Sequence, residues 1–147
     1  MKKRTIKIGD VCRLNAVSMG KSDFLPLIQY LDTSNITRNK IDKIQFFDGG
    51  KSVIPSRAKR RVKHETIIYS TVRPDQEHHG FLEHPADNLI VSTGFTTIDV
   101  IDNSINPKFL YYSLTRNKIT DYLHTIATNN VSAYPSINPD DVGNLEL

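Results

Sequence analysis

The order of its hydrophobic patterns constrains this chain most: strand-like apolar runs fill most of the first two-thirds, and helical spacing dominates only after Asn106. Residues 25–31, with Leu25, Leu27, Ile28 and Leu31, predict a strand entering a polar turn at Asp32, Thr33, Ser34 and Asn35. Ile41, Ile44, Phe46 and Phe47 predict another, closed by Asp48, Gly49 and Gly50. Residues 66–71 are β-branched and aromatic, which suits a pleated surface. Residues 88–92 and 95–101 give two more strands, joined or bent at Gly94. Near the start, Ile6, Ile8, Val11 and Leu14 predict an entry segment and one helical turn capped by Asp10. Asn106 and Pro107 suit the cap and first turn of a helix over 108–114. Ile119, Tyr122, Leu123 and Ile126 then recur as a buried helical stripe. Residues 138–141 resemble another capped turn, and 144–147 an edge strand. The expected fold is α+β: a twisted, mostly antiparallel sheet followed by helices. With 147 residues and 38% apolar content, the chain buries one full core, so a single domain over 1–147 is expected.

Charge is distributed unevenly. Up to Arg73 there are 16 Lys and Arg against 6 Asp and Glu; after it there are 3 against 10. Lys51, Arg57, Lys59, Arg60, Arg61 and Lys63 fall within 51–63 with no acidic residue among them. Such clustering is the footprint of a polyanion-binding surface, because each cation that meets a phosphate releases condensed counterions. A solvated helix face explains the run equally well, with Ser56 capping a short basic helix over 57–62. The acidic second half would be repelled by DNA and is expected to face solvent or a protein partner.

Several function classes find little support. Cys12 is the single cysteine, so no internal disulfide forms and a reducing, cytoplasmic compartment is expected. No apolar stretch approaches the ~18 residues of a membrane span, and no apolar h-region follows Met1 to Arg4. Beside Arg13 and with no nearby histidine, Cys12 suits a small buried residue better than a nucleophile. Asp75, Glu77, His78 and His79 offer metal-ligand chemistry, but neighbouring residues on one loop rarely converge on an ion. A magnesium-dependent nuclease using Asp75, Glu77 and His79 is the alternative from another class, and a nonspecific nucleic-acid adaptor is a third. The nuclease core also requires an acid-x-lysine on the next strand, where residues 80–85 supply histidine and proline. Asn106, Pro107, Lys108 and Phe109 partly match the Asn-Pro-Pro-aromatic element of amino-methyltransferases, yet no glycine-rich turn precedes them to hold a nucleotide-like cofactor. Tyr111 and Tyr112 lie within a helix, where core packing outweighs base stacking.

Taken in order, Ile8-Gly9-Asp10-Val11-Cys12, Tyr30-Leu31-Asp32-Thr33-Ser34-Asn35-Ile36, Ser92-Thr93-Gly94-Phe95, Asn106-Pro107-Lys108-Phe109-Leu110 and Tyr134-Pro135-Ser136-Ile137-Asn138-Pro139 resemble a target recognition domain of type I restriction-modification DNA specificity subunits. The series is also similar to the recognition domains fused to some single-chain restriction-methylation enzymes. The likeness spans nearly the whole chain and is most specific in the second half. Residues 15–21 depart from it, lacking the glycine-rich stretch of many members.

The resemblance implies a domain without chemistry that reads half of a bipartite site on double-stranded DNA. Its partners would be a methylation subunit and a restriction subunit. S-adenosylmethionine, ATP and magnesium would belong to those partners. A full subunit carries two such domains separated by long helices, and the helix expected after 147 is absent. The chain would then be a half-subunit pairing as a homodimer, a truncated subunit or an orphan domain. Within this frame, Lys51, Arg57, Lys59, Arg60, Arg61 and Lys63 are expected on phosphates, which fix register without reading sequence. Base readers need multi-donor groups on loops, and the candidates are Arg73, Gln76, His78 and His79 on one loop with Ser34, Asn35 and Arg38 on another. For Arg73 the competing role is an ion pair with Asp75 or Glu77. For Asn35 it is simple turn chemistry.

Overall fold

The computed structural model describes residues 5–20, 23–50, 53–130 and 134–147. The chain runs through α1 (Ile8–Val11), β1 (Cys12–Leu14), β2 (Leu27–Leu31), a 3-10 turn (Thr33–Asn35), β3 (Ile36–Thr37), β4 (Lys40–Ile41), β5 (Gln45–Asp48) and β6 (Ala58–Arg61). It continues with β7 (Ile67–Ser70), a second 3-10 turn (Pro74–Gln76), β8 (His79–Phe81), β9 (Leu89–Ser92) and β10 (Phe95–Val100). Helices α2 (Pro107–Leu114), α3 (Asn117–Asn129) and α4 (Pro139–Gly143) follow. This is the α+β order expected from the sequence.

Alternation along β7 shows how the layers are stacked. Ile67 and Tyr69 pack with Leu110, Leu114 and Leu123 of the helices, while Ile68 packs with Leu31, Val91 and Phe95. Successive side chains of a strand point to opposite faces, so a strand buried throughout needs a layer on each side. The helices supply one layer and a second sheet supplies the other. One four-stranded sheet has the order β1-β10-β7-β8, the other β5-β2-β9-β6, with β3 and β4 forming a small separate hairpin. All pairings are antiparallel except that of β2 with β9. The far face of the second sheet carries a smaller cluster of Ile28, Tyr30, Ala58 and Ile90.

The residues around Gly94 are therefore no hairpin turn: they pass the chain from one sheet to the other. A Cβ on Gly94 would sit 2.7 Å from Thr33 Cγ2, so close approach of the first 3-10 turn explains the glycine.

The helix caps follow the sequence. Asn106 accepts from the backbone N–H groups of Lys108 and Phe109 at 2.9 and 3.1 Å, and Asn138 forms a capping box with Asp141. Residues 145–147 pair with the chain start through Ile8 N–H to Leu145 O at 3.0 Å and Leu147 N–H to Ile6 O at 2.7 Å.

Four local expectations are corrected. Asp10 lies inside α1, and Lys7 occupies the cap position. The basic segment is the strand β6, because Ala58, Arg60 and Arg61 register against Ser92, Val91 and Ile90 of β9, and that pairing outweighs a lone serine cap. Tyr122 is exposed, and Thr120 and Ala127 complete the buried stripe of α3. Tyr111 is buried as expected, but Tyr112 is 59% exposed on the opposite side of α2.

Candidate nucleic-acid interface

Strand direction gathers most of the candidate readers at one end of both sheets. β2 and β9 run parallel with Leu31 opposite Val91, so the segments after both strands emerge together. β6 runs antiparallel to β9 with Ala58 opposite Ser92, which brings Arg57 to the same end. Ser70 lies opposite Phe95, and Tyr69 opposite His79, which adds residues 71–78 and Thr93. Arg73 N–H donates to Pro135 O at 2.8 Å and Val72 bridges Ser136, so residues 135–136 join this rim. Ser34, Asn35, Arg38, Arg57, Arg73, Gln76 and His78 thus converge from three separate stretches of sequence.

The two reader loops bind one another. Arg38 Nε donates to Glu77 Oε2 at 2.7 Å, and Asn39 N–H donates to His79 O at 2.9 Å. His78 Nδ1 lies 2.7 Å from Ile36 O and 3.2 Å from Thr37 Oγ1, with its Nε2 3.3 Å from Gln76 Oε1. Asn35 Nδ2 donates to Asp42 Oδ1 at 3.0 Å, which is the turn chemistry weighed for it. Asp75 Oδ1 lies 3.4 Å from His124 Nδ1 on α3. Asp75 and Glu77 are therefore engaged elsewhere, and neither holds Arg73. The Arg73 side chain is exposed and makes no ion pair among the described residues. Its backbone is left-handed at φ 45°, so the residue stands at a corner of the loop.

No family model matches the chain. Over 140 residues it is 29% identical to the type I restriction enzyme HindI specificity subunit of Haemophilus influenzae, a match covering 95% of this chain and 30% of that protein. Among solved structures, the HsdS subunit from Thermoanaerobacter tengcongensis superposes with a TM-score of 0.80 at 25% identity, covering 98% of this chain and 37% of that one. A chain from a structure on the complex assembly and conformational transition of the type I restriction-modification system gives 0.78 at 24%, again covering 98% and 37%. The chain is similar to one domain of these type I specificity subunits. It spans about a third of the length of these relatives.

Two candidate residues, His79 and Lys63, lie away from the rim. His79 is 4% exposed, with Nδ1 2.8 Å from the Tyr111 hydroxyl and its ring stacked on Tyr69, so it belongs to the core and reaches no groove. Burial pulls its pKa down to about 4, which keeps the ring neutral. Lys63 follows β6 and lies at the opposite end of the sheets, its N–H donating to Thr66 Oγ1 at 3.0 Å. Six extended residues separate it from Arg57, roughly 15–20 Å. Lys59 and Arg61 lie between these ends on β6, the first exposed and the second half-buried. Arg60 is half-buried, and burial lowers its guanidinium pKa. Lys51 lies outside the described residues.

Asp75, Glu77 and His79 face His124, Arg38 and Tyr111 respectively, so the ligand set of the nuclease alternative does not converge. Among the described residues there is no group of three His, Cys, Asp or Glu side chains able to hold a metal ion. Cys12 is buried, and burial with Asp99 nearby pushes its thiol up to about 12, far from a nucleophile's range. No helix among the described residues is long and apolar enough to cross a membrane. The sequence reading missed Thr93 and Ser136 on the rim. Only the strand pairing brings them beside Arg57 and Arg73.

Proposed function

We propose that this domain reads one half of a bipartite site on double-stranded DNA for a restriction-modification complex and carries no chemistry itself. Methylation and restriction subunits would be its partners in the cytoplasm, with S-adenosylmethionine, ATP and magnesium handled by them. The observation supporting the reading is the convergence of Arg38, Arg57, Arg73, Gln76 and Ser34 on one rim at the ends of two packed sheets. Rigid strands hold such loops at fixed spacing, as base readout requires. Arginines there suit guanine edges, and Gln76 suits adenine.

Selection of randomised duplexes by the purified chain, alone and with a cognate methylation subunit, at two salt concentrations tests this. An enriched motif of a few base pairs supports the proposal. Enrichment only with the partner supports it as well, and shows that one domain is too small a footprint to hold DNA. Binding without enrichment in both cases replaces it with a nonspecific adaptor, and cleavage that disappears with EDTA replaces it with the nuclease alternative.

A further inference from the structure

Beside Arg73 the rim contains a cleft of about 260 Å³ lined by Arg57, Thr71, Thr93, Tyr134 and Ser136, with Val72, Gly94 and Ile137 as its apolar walls. We propose that this cleft seats one ridge of the DNA sugar-phosphate backbone and sets the register from which Arg73 reads. The inference rests on the DNA-recognition reading above.

Chemistry and shape both favour a phosphate over a base. No carboxylate or carboxamide side chain lines the cleft; its polar side chains are one guanidinium and hydroxyls. Among the described residues, the Thr93 and Ser136 hydroxyls make no hydrogen bond and Arg57 makes no ion pair, whereas Thr71 Oγ1 already donates to Gly94 O at 3.1 Å. A phosphodiester oxygen only accepts, so a site furnished with a guanidinium and hydroxyl donors matches it, while adenine and cytosine edges present amino donors that a guanidinium cannot accept. A concavity also receives a convex ridge. Base edges lie recessed in grooves and are reached by groups that stand out from a loop, as Arg73 does.

The cleft is fixed in advance. Thr93 N–H donates to Arg57 O at 2.9 Å, Thr71 N–H to Gly94 O at 2.9 Å, and Ile137 N–H to Thr71 O at 2.8 Å. Backbone bonds therefore tie its walls together, so little ordering accompanies binding. Arg73 follows Thr71 by two residues, which couples the seat directly to the reader.

The test measures duplex binding by the full chain between about 50 and 200 mM salt, with a parallel selection. Arg57→Gln is expected to weaken every duplex alike and lower the slope of log affinity against log salt by about 0.9, leaving the enriched motif unchanged. Arg57→Lys keeps the slope. Thr93→Val weakens binding several-fold without changing preference. Lys63→Gln, the same charge loss at the other end of the sheets, leaves the slope as it was. An unchanged slope in Arg57→Gln overturns the seat, and so does a shifted motif, which would make Arg57 a base reader. If the parent chain enriches no motif, alone or with the methylation subunit, while Arg57→Gln still lowers the slope, recognition fails and the seat survives. Failure of the parent chain to bind at the lowest salt, both alone and with the methylation subunit, overturns both.

Discussion

Arg38 and Glu77 are joined twice: Arg38 Nη2 lies 2.6 Å from Glu77 Oε2, and the Arg38 backbone N–H donates to the Glu77 carbonyl at 3.0 Å. Both residues are left-handed, with φ of 46° and 58°. A non-glycine residue there costs roughly 1–2 kcal/mol, so each turn depends on the other for its shape. Glu77→Gln removes the charge and keeps the size. Because the Arg38 side chain is 74% exposed, urea unfolding is expected to show a loss of only about 0.5–1 kcal/mol. The motif enriched in a duplex selection is expected to broaden more than this small loss would suggest. A sharp, unchanged motif would mean that the loops hold their geometry without the pair.

His79 makes stability depend on pH. Its pKa is about 4 when folded, against an ordinary value near 6.5, because burial disfavours the charged ring. Above pH 6.5 both states are neutral and the full stability is present. As pH falls toward 4 the unfolded chain takes up a proton that the folded chain refuses, and roughly 3 kcal/mol is lost across that window. His79→Gln cannot titrate, so it should start less stable at pH 7.5 and show a flatter profile between 6.5 and 4. Parallel profiles of urea midpoint against pH in the two proteins would show that His79 is not the titrating group.

The gap at Gly94 gives a third expectation. Gly94→Ala places a methyl 2.7 Å from Thr33 Cγ2 and should cost about 1–3 kcal/mol by overpacking. Thr33→Ser removes the clashing methyl. The double variant should therefore recover most of the loss, measured as a coupling energy in a double-mutant cycle. Additive losses would place the strain in the backbone instead.

Most of the fold was legible in the sequence because its signals are local. The β-branched and aromatic content of residues 66–71, the caps at Asn106 and Asn138 and the stripe of Ile119 and Leu123 each act within a few residues, and each element formed. The rim was only half legible. Ser34, Asn35, Arg38, Arg73, Gln76 and His78 stand on it, yet a count of charge along the chain could not show that β6 carries Arg57 to one end and Lys63 to the other. Nor do the basic and acidic halves separate in space: β1 from the first pairs with β10 from the second, and Glu77 of the acidic half holds Arg38 of the basic one. His79 is the instructive error. Next to His78 it resembled a loop residue, but at the start of β8 one of two adjacent side chains must turn inward, and that one meets Tyr111.

Arg73 provides the sharpest test of readout. Its competing role was an ion pair with a neighbouring carboxylate, and both candidates are engaged elsewhere, Asp75 beside His124 and Glu77 with Arg38. The side chain is exposed beside the cleft, on a corner anchored through its own backbone to Pro135. If it meets a guanine with its two-pronged guanidinium, Arg73→Ala should relax discrimination at one base position by roughly 1–3 kcal/mol and leave the other positions alone. Arg73→Lys keeps the charge and loses the fork, so it should hold affinity for nonspecific DNA while relaxing that same position. Loss of affinity that is uniform across sequences in both variants would assign Arg73 to the backbone, and base reading would then fall to Gln76 and Arg38.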